Sequence, residues 1–146
     1  LIGTGLSVTG VDSSPAMVGL CRTSFQNGNW RVADMRSLAL GSRFDGILAW
    51  DSFFHLTSDD QRAMFAVFRA HAAPGAALMV TTGPAHGVAI GEFEGEPLYH
   101  ASLDPSDYRA LLADGGFDVV AFEPHDPTCG GHMIWLARTE RHQLAA

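Results

Sequence analysis

Three aspartates stand just beyond apolar runs and could serve as hydrogen-bond acceptors for a nucleoside. Asp12 closes Leu6-Ser7-Val8-Thr9-Gly10-Val11, Asp34 follows Trp30 to Ala33, and Asp51 follows Phe44 to Trp50. A carboxylate at a strand end beside a nucleotide site can accept both hydroxyls of a ribose, and Asp12 is suited to that task. The competing reading is that it caps the helix announced by Ser13-Ser14-Pro15. Asp34 could accept from an adenine amino group while the adaptable thioether of Met35 lies on the ring face. A surface turn followed by a core methionine is the plainer alternative. Asp51 and His55, four positions apart, could meet on one side of a pocket and supply a general base. His55 could equally be a helix-entry histidine packed near Trp50 and Phe54.

Other constellations carry less. His86, Tyr99 and His100 are the polar candidates for substrate contact in the segment 83–102, although each residue type is more often found at a surface or in packing. Cys129-Gly130-Gly131-His132 has one Cys-x-x-His without a partner pair, so no metal is assigned and a glycine turn is preferred. Cys21 and Cys129 lie too far apart in the chain to announce a disulfide framework.

The elements that must position these residues follow from periodicity and caps. Leu6 to Val11 reads as a strand, and Pro15 to about Gln26 as a helix capped by Ser14 that buries Met17, Val18, Cys21 and Phe25. Strands are expected at Trp30 to Ala33 and Phe44 to Trp50. Thr57 or Ser58 caps a second helix with Asp59 and Asp60 in its first turn and a stripe of Met64, Phe65, Phe68 and Ala72. Pro74-Gly75 turns the chain into a strand from Ala76 to Thr82. Residues 83–102 read as an inserted loop on the substrate side, with a short strand at Leu98 to Ala101. Asp104 and Pro105 start a third helix that buries Tyr108, Leu111 and Leu112 and stops at Gly115-Gly116. Phe117 to Glu123 and His132 to Arg138 close the chain as an antiparallel pair, and 139–146 form a tail. The expectation is one α/β domain, a Rossmann-like, mostly parallel sheet with a C-terminal antiparallel strand pair.

Composition narrows the function. The 146 residues carry 9 Lys+Arg, all arginine, against 16 Asp+Glu, a formal charge of −7. No basic stripe exists to neutralise a phosphate backbone, so nucleic acid is not expected as a partner. No apolar run approaches the ~20 residues of a membrane span, and there is no secretory leader pattern, so a cytoplasmic protein without membrane contact is expected.

Taken in order, Val8-Thr9-Gly10-Val11-Asp12-Ser13-Ser14-Pro15-Ala16-Met17, Val32-Ala33-Asp34-Met35-Arg36 and Phe44-Asp45-Gly46-Ile47-Leu48-Ala49-Trp50 resemble the class I S-adenosylmethionine-dependent methyltransferases of the small-molecule type. Phe54-His55-Leu56, Ala73-Pro74-Gly75-Ala76, Gly115-Gly116-Phe117 and the closing strand pair extend the resemblance over nearly the whole chain. It implies S-adenosyl-L-methionine as cofactor, with Asp12 on the ribose diol, Ser13 beside it, and Asp34 and Met35 on the adenine. It also implies that Ala49 and Trp50 contact the methionine part of the cofactor, and that Asp51, Ser52 and His55 border the methyl-transfer chamber. The partner implied is a small-molecule methyl acceptor.

The chain also departs from the pattern. The family's first strand and glycine-rich loop are not in this sequence, and Gly3-Thr4-Gly5 stands only seven positions before Asp12, too close to replace them. On the order of 30 residues of a strand-helix unit are therefore expected to be lacking, and cofactor binding by this chain to be impaired. The family's missing strand lies between those ending on Asp12 and Asp51, so these two should not be bridged. Two alternatives stay open: an NAD-dependent Rossmann oxidoreductase using Asp12 for the adenosine ribose, and a degenerate, non-catalytic methyltransferase-like domain.

Overall fold

The computed structural model of the chain describes residues 2–141. They divide between two compact units, Leu1–Ala39 and Leu40–Ala146. The first holds strand β1 (Thr9–Asp12), helix α1 (Pro15–Ser24) and strand β2 (Asn29–Val32). β1 and β2 pair in parallel, Thr9 opposite Asn29 through Asp12 opposite Val32. Ser14 caps α1 as expected, its hydroxyl accepting from Met17 N–H at 3.3 Å, with Pro15 in the first turn. The expected burial fails: of α1's residues only Val18 is buried, while Met17 and Phe25 are half exposed. A sheet of two strands is too small to cover a full helix face. Trp30 is fixed by its indole N–H, which donates to Phe25 O at 2.8 Å, and its ring lies so close over Gly10 that no Cβ fits there.

In the second unit β3 (Phe44–Ala49), helix α2 (Ser58–His71), β4 (Ala72–Thr82), the hairpin β5 (Gly87–Phe93) and β6 (Glu96–Ser102), helix α3 (Pro105–Asp114), β7 (Phe117–Asp126) and β8 (His132–Thr139) follow one another. Four of these strands form one sheet in the order β3-β4-β8-β7. β3 and β4 are parallel; β8 runs antiparallel to both β4 and β7. The closing antiparallel pair is as expected, but the architecture is mixed rather than mostly parallel, because β8 inserts between β4 and β7. The strands ending next to Asp12 and Asp51 lie in different sheets, as anticipated.

Further expectations need correction. β4 begins at Ala72, so that Ala72 is its first residue and not part of the helix stripe; Pro74-Gly75 sits in an irregular stretch where Gly75 takes a φ of +78°. Residues 83–102 hold more than a loop: the expected strand at Leu98 to Ala101 lies within β6, and β5 and β6 pair over seven positions, from Gly87 opposite Ser102 to Phe93 opposite Glu96. Glu94 and Gly95 turn the hairpin with φ of 52° and 85°, the two positive values that let a two-residue turn match strand twist. Glu-Gly lacks the Asn-Gly or Asp-Gly signature, which is why the hairpin escaped the reading. β7 extends to Asp126, and a register shift between Val119 and Ala121 leaves Val120 exposed and turns Phe122 onto Trp135, ring centroids 4.0 Å apart. The expected tail at 139–146 begins too early, since Thr139 is the last residue of β8, paired with Phe117 and buried; 142–146 lie outside the described residues.

The second unit's core is aromatic. Phe53, buried completely, meets Phe65, Phe68 and Tyr108 at 5.8–6.1 Å between ring centroids. Thr57 caps α2 by accepting from Asp60 N–H at 3.2 Å, and Met64, Phe65 and Phe68 are buried as expected. Asp104 precedes α3 but does not cap it with its side chain, which accepts from His86 N–H at 3.1 Å instead. Among the described residues no helix is long and apolar enough to cross a membrane.

Candidate functional site

Parallel pairing puts the carboxyl ends of β3 and β4 at the same edge of their sheet, and antiparallel pairing brings the start of β8 there, with Met133 opposite Thr82. Asp51, two residues past β3, takes a φ of 47° in the left-handed region that a residue with a Cβ rarely enters. Thr81 of β4 holds it there: Asp51 N–H donates to Thr81 Oγ1 at 2.9 Å, and that hydroxyl lies 3.5 Å from Asp51 Oδ1. Asp51 Oδ1 is also 3.3 Å from His132 Nε2. The expected Asp51–His55 pair is therefore replaced by Asp51–His132. His55 turns to β6, where its Nδ1 lies 3.0 Å from Tyr99 O.

Phe54 is the hub of an aromatic group. His132 stacks on it at 5.5 Å between centroids, and the rings of His55 and His100 meet it edge-on at 4.8 and 5.1 Å. His55 and His100 are themselves 4.9 Å apart. Partial burial, then the charges of His55 and His132, push the His100 pKa below the usual imidazole value, so His100 is neutral at pH 7.

Beside this group the structure holds a cavity of about 350 Å³, bounded by Phe54 and His132, the end of β4 at Thr82, and the hairpin residues Ala89, His100 and Ser102. Its frame is a buried polar network. The Tyr108 hydroxyl donates to Gln61 Oε1 and accepts from Leu103 N–H at 2.9 Å; Gln61 Nε2 donates to Leu56 O and Ala101 O, both at 2.9 Å. Burial raises the Tyr108 pKa, keeping the phenol protonated as a donor. Ser102 Oγ joins through Tyr108 at 3.1 Å and Gly83 O at 3.0 Å. These bonds tie the base of β6 to α2 and α3, which fixes the strand that carries His100.

The predicted substrate residues separate. His100 lines the cavity. Tyr99 contributes its carbonyl to His55, while strand alternation turns its side chain to the face opposite His100. His86 is exposed and is not among the cavity-lining residues. His132 was noticed in the sequence only beside Cys129; its place follows from topology, since the first residue of a final antiparallel strand lands at the carboxyl ends of its neighbours. Ala49 is buried at the end of β3, and Trp50 beyond it is partly exposed.

In the first unit Asp12 is exposed and its Oδ1 accepts from Ser14 N–H at 2.7 Å. Ser13, next to it, is exposed too. Asp34 accepts from Arg36 N–H at 2.9 Å and from Arg36 Nε at 3.0 Å on each oxygen. These bonds hold its pKa down at about 2. Met35, half-buried, begins a short 3₁₀ turn.

Residues 2–75 match a family described as a methyltransferase domain. No curated protein matches. Among solved structures, the chain is similar to the glycopeptide N-methyltransferase MtfA complexed with S-adenosyl-L-homocysteine, with a TM-score of 0.76 and 18% identity over 94% of this chain and 76% of that one. It is similar to the 1,6-didemethyltoxoflavin-N1-methyltransferase of Burkholderia thailandensis, TM-score 0.71 and 19% identity over 95% of this chain and 64% of that one. A third similarity is to CalS10, an amino pentose methyltransferase from Micromonospora echinaspora, with a TM-score of 0.70 and 20% identity over 91% of this chain and 74% of that one. At these identities the structures establish a shared fold.

Proposed function

Because the chain belongs to the methyltransferase domain family, we propose that it transfers a methyl group from S-adenosylmethionine to a small organic acceptor. The observation that carries this reading is the family match through residues 2–75, which takes in Asp12, Asp34, Met35 and the end of β3. The solved structures of similar fold are named for glycopeptide, toxoflavin-precursor and amino-pentose methylation, which supports a small acceptor. A cavity of about 350 Å³ suits one as well, lying at the lower end of the range for small-molecule pockets.

S-adenosylmethionine supplies a methyl carbon on a good leaving group, so the protein's work is alignment. In the first unit, Asp12 fits the ribose. Its Oδ1 is taken by Ser14 N–H, and among the described residues Oδ2 makes no hydrogen bond, leaving it to accept from a diol. Ser13 stands beside it. Asp34 fits the adenine less readily, because Arg36 already spans both oxygens and an amino group would have to share an acceptor position. Met35 supplies an adaptable surface for the ring face. By family resemblance Ala49 and Trp50 would contact the methionine portion, and Asp51, Ser52 and His55 would border the methyl-transfer chamber.

Calorimetric titration tests this. S-adenosylhomocysteine should bind, with the weakened affinity expected from the sequence, and NADH should not. Asp12→Asn should weaken binding by about tenfold or more, the loss expected for one charge-assisted hydrogen bond. Heat from NADH alone would overturn the reading in favour of a nicotinamide enzyme, and heat from neither would favour a domain that binds no cofactor.

A further inference from the structure

The cavity in the second unit has a chemical character of its own. No Asp, Glu, Lys or Arg is among its lining residues. Two of its hydroxyls are already engaged: Thr82 Oγ1 accepts from Trp135 Nε1 at 3.0 Å, and Ser102 Oγ lies 3.0 Å from Gly83 O. The remaining polar side chains among the lining residues are those of His100 and His132. Neither nitrogen of His100, nor Nδ1 of His132, is hydrogen-bonded among the described residues. The other walls are apolar, with Phe54 stacked on His132. A ligand with a permanent charge would find no Asp, Glu, Lys or Arg among these residues to balance it, whereas a neutral aromatic ring would find a matching surface, and a phenolate formed by proton transfer to His132 would be balanced by the imidazolium.

Resting on the methyltransferase reading above, we propose that the acceptor is a neutral aromatic molecule bearing a phenol-type hydroxyl, and that His132, oriented by Asp51, is the general base that takes its proton. Asp51 Oδ1 stands 3.3 Å from Nε2 of His132, which favours the tautomer with its proton on that nitrogen and leaves the lone pair on Nδ1. Thr81 holds Asp51 in its left-handed conformation, so the carboxylate is fixed rather than free to swing. A phenol must lose its proton to become a strong nucleophile, and this is the step a carboxylate-oriented imidazole serves. The proton passes from the acceptor oxygen to His132 Nδ1. The oxygen's electron pair then forms the bond to the methyl carbon, the carbon–sulfur pair leaves with the thioether, and imidazolium beside Asp51 returns the proton to solvent. Among the described residues, His55 and His100 are grouped with His132 around Phe54, and Asp126 of β7 stands opposite it in the strand register.

4-Nitrophenol, whose phenolate absorbs separately from the phenol, tests both parts, with 4-nitroanisole as a probe that has no proton to give. Both should bind the intact chain, with and without S-adenosylhomocysteine present. Bound 4-nitrophenol should show a phenolate-to-phenol ratio raised about tenfold over free probe at the same pH, the equivalent of one pKa unit. His132→Gln should abolish the rise while leaving 4-nitroanisole binding intact, and Asp51→Asn, a residue type that tolerates the left-handed backbone, should reduce it. Failure of both probes to bind would overturn the aromatic-acceptor assignment. An unchanged ratio in the intact chain, or a rise that survives His132→Gln, would overturn the role of His132. Binding of S-adenosylhomocysteine is measured separately, so loss of the methyltransferase reading would be seen apart from either result.

Discussion

The two units hold their reactive side chains in opposite ways. In Leu1–Ala39 the acids lean on neighbours in sequence: Asp12 accepts from Ser14 and Asp34 from Arg36, each two positions away. In Leu40–Ala146 the partners are remote in the chain: Asp51 is held by Thr81, 30 positions on, and His55 meets the carbonyl of Tyr99, 44 positions on. Burial follows the same division. α1 buries one residue, whereas α2 buries five and packs on a four-stranded sheet. Groups held by local turns keep their geometry wherever the turn forms; groups held across a sheet depend on the whole core.

That contrast can be broken by removing core side chains. Trp135 is fully buried between Tyr108 and Phe122 and donates to Thr82. Trp135→Ala should cost about 3–5 kcal/mol in urea unfolding, whereas Met17→Ala, at a half-exposed position of α1, should stay within about 0.5 kcal/mol. Comparable losses at the two positions would show that the first unit has a core of its own. A smaller effect is expected at Gln61. Gln61→Leu removes the acceptor of the Tyr108 hydroxyl and the amide donor to the carbonyls of Leu56 and Ala101, costing about 1–3 kcal/mol. By disturbing β6 it should also shift the NMR signals of His100, while those of Asp12 stay in place.

The same division explains what could be read from residues alone. Ser14 and Thr57 capping their helices, Pro15 and Pro105 opening theirs, and the three aspartates at strand ends are local signals, and all were legible. The pairing of Asp51 with His132 was not, because it depends on β8 entering between β4 and β7, and no spacing in the chain reports that insertion. Gln61 carries no signal of its own in the sequence, and only its contacts with Tyr108 and Ala101 show why it is buried. The hairpin 87–102 was hidden by its Glu-Gly turn, and its exposed Val88 and Ile90 broke the usual rule of apolar residues facing inward.

Charge offers two finer tests. The Arg36 bonds hold Asp34 at about 2, against an ordinary value of 3.8. Arg36→Ala should return the NMR titration midpoint of Asp34 toward 3.8 without altering any group of the second unit. In the wild-type chain the stabilising effect of this depressed carboxylate is fully present above pH 3.8 and is lost as pH falls toward 2. His100 runs on the same sign of slope for a different reason. Its folded-state pKa lies below 6.5, so the unfolded chain binds more protons, and stability falls as pH drops from 6.5 toward that depressed value. His100→Gln should flatten this portion of the stability curve by a small amount, as suits a group so little buried. A curve unchanged by the substitution would remove His100 from the coupled histidine group.

Titration of S-adenosylhomocysteine into the isotopically labelled chain, followed by two-dimensional NMR, tests the central claim most directly. The amide signals of Asp12, Ser13, Asp34 and Met35 should move together and saturably, and NADH should leave them still. Signals that stay fixed with S-adenosylhomocysteine, or that move with NADH instead, would contradict the assignment of this chain to methyl transfer.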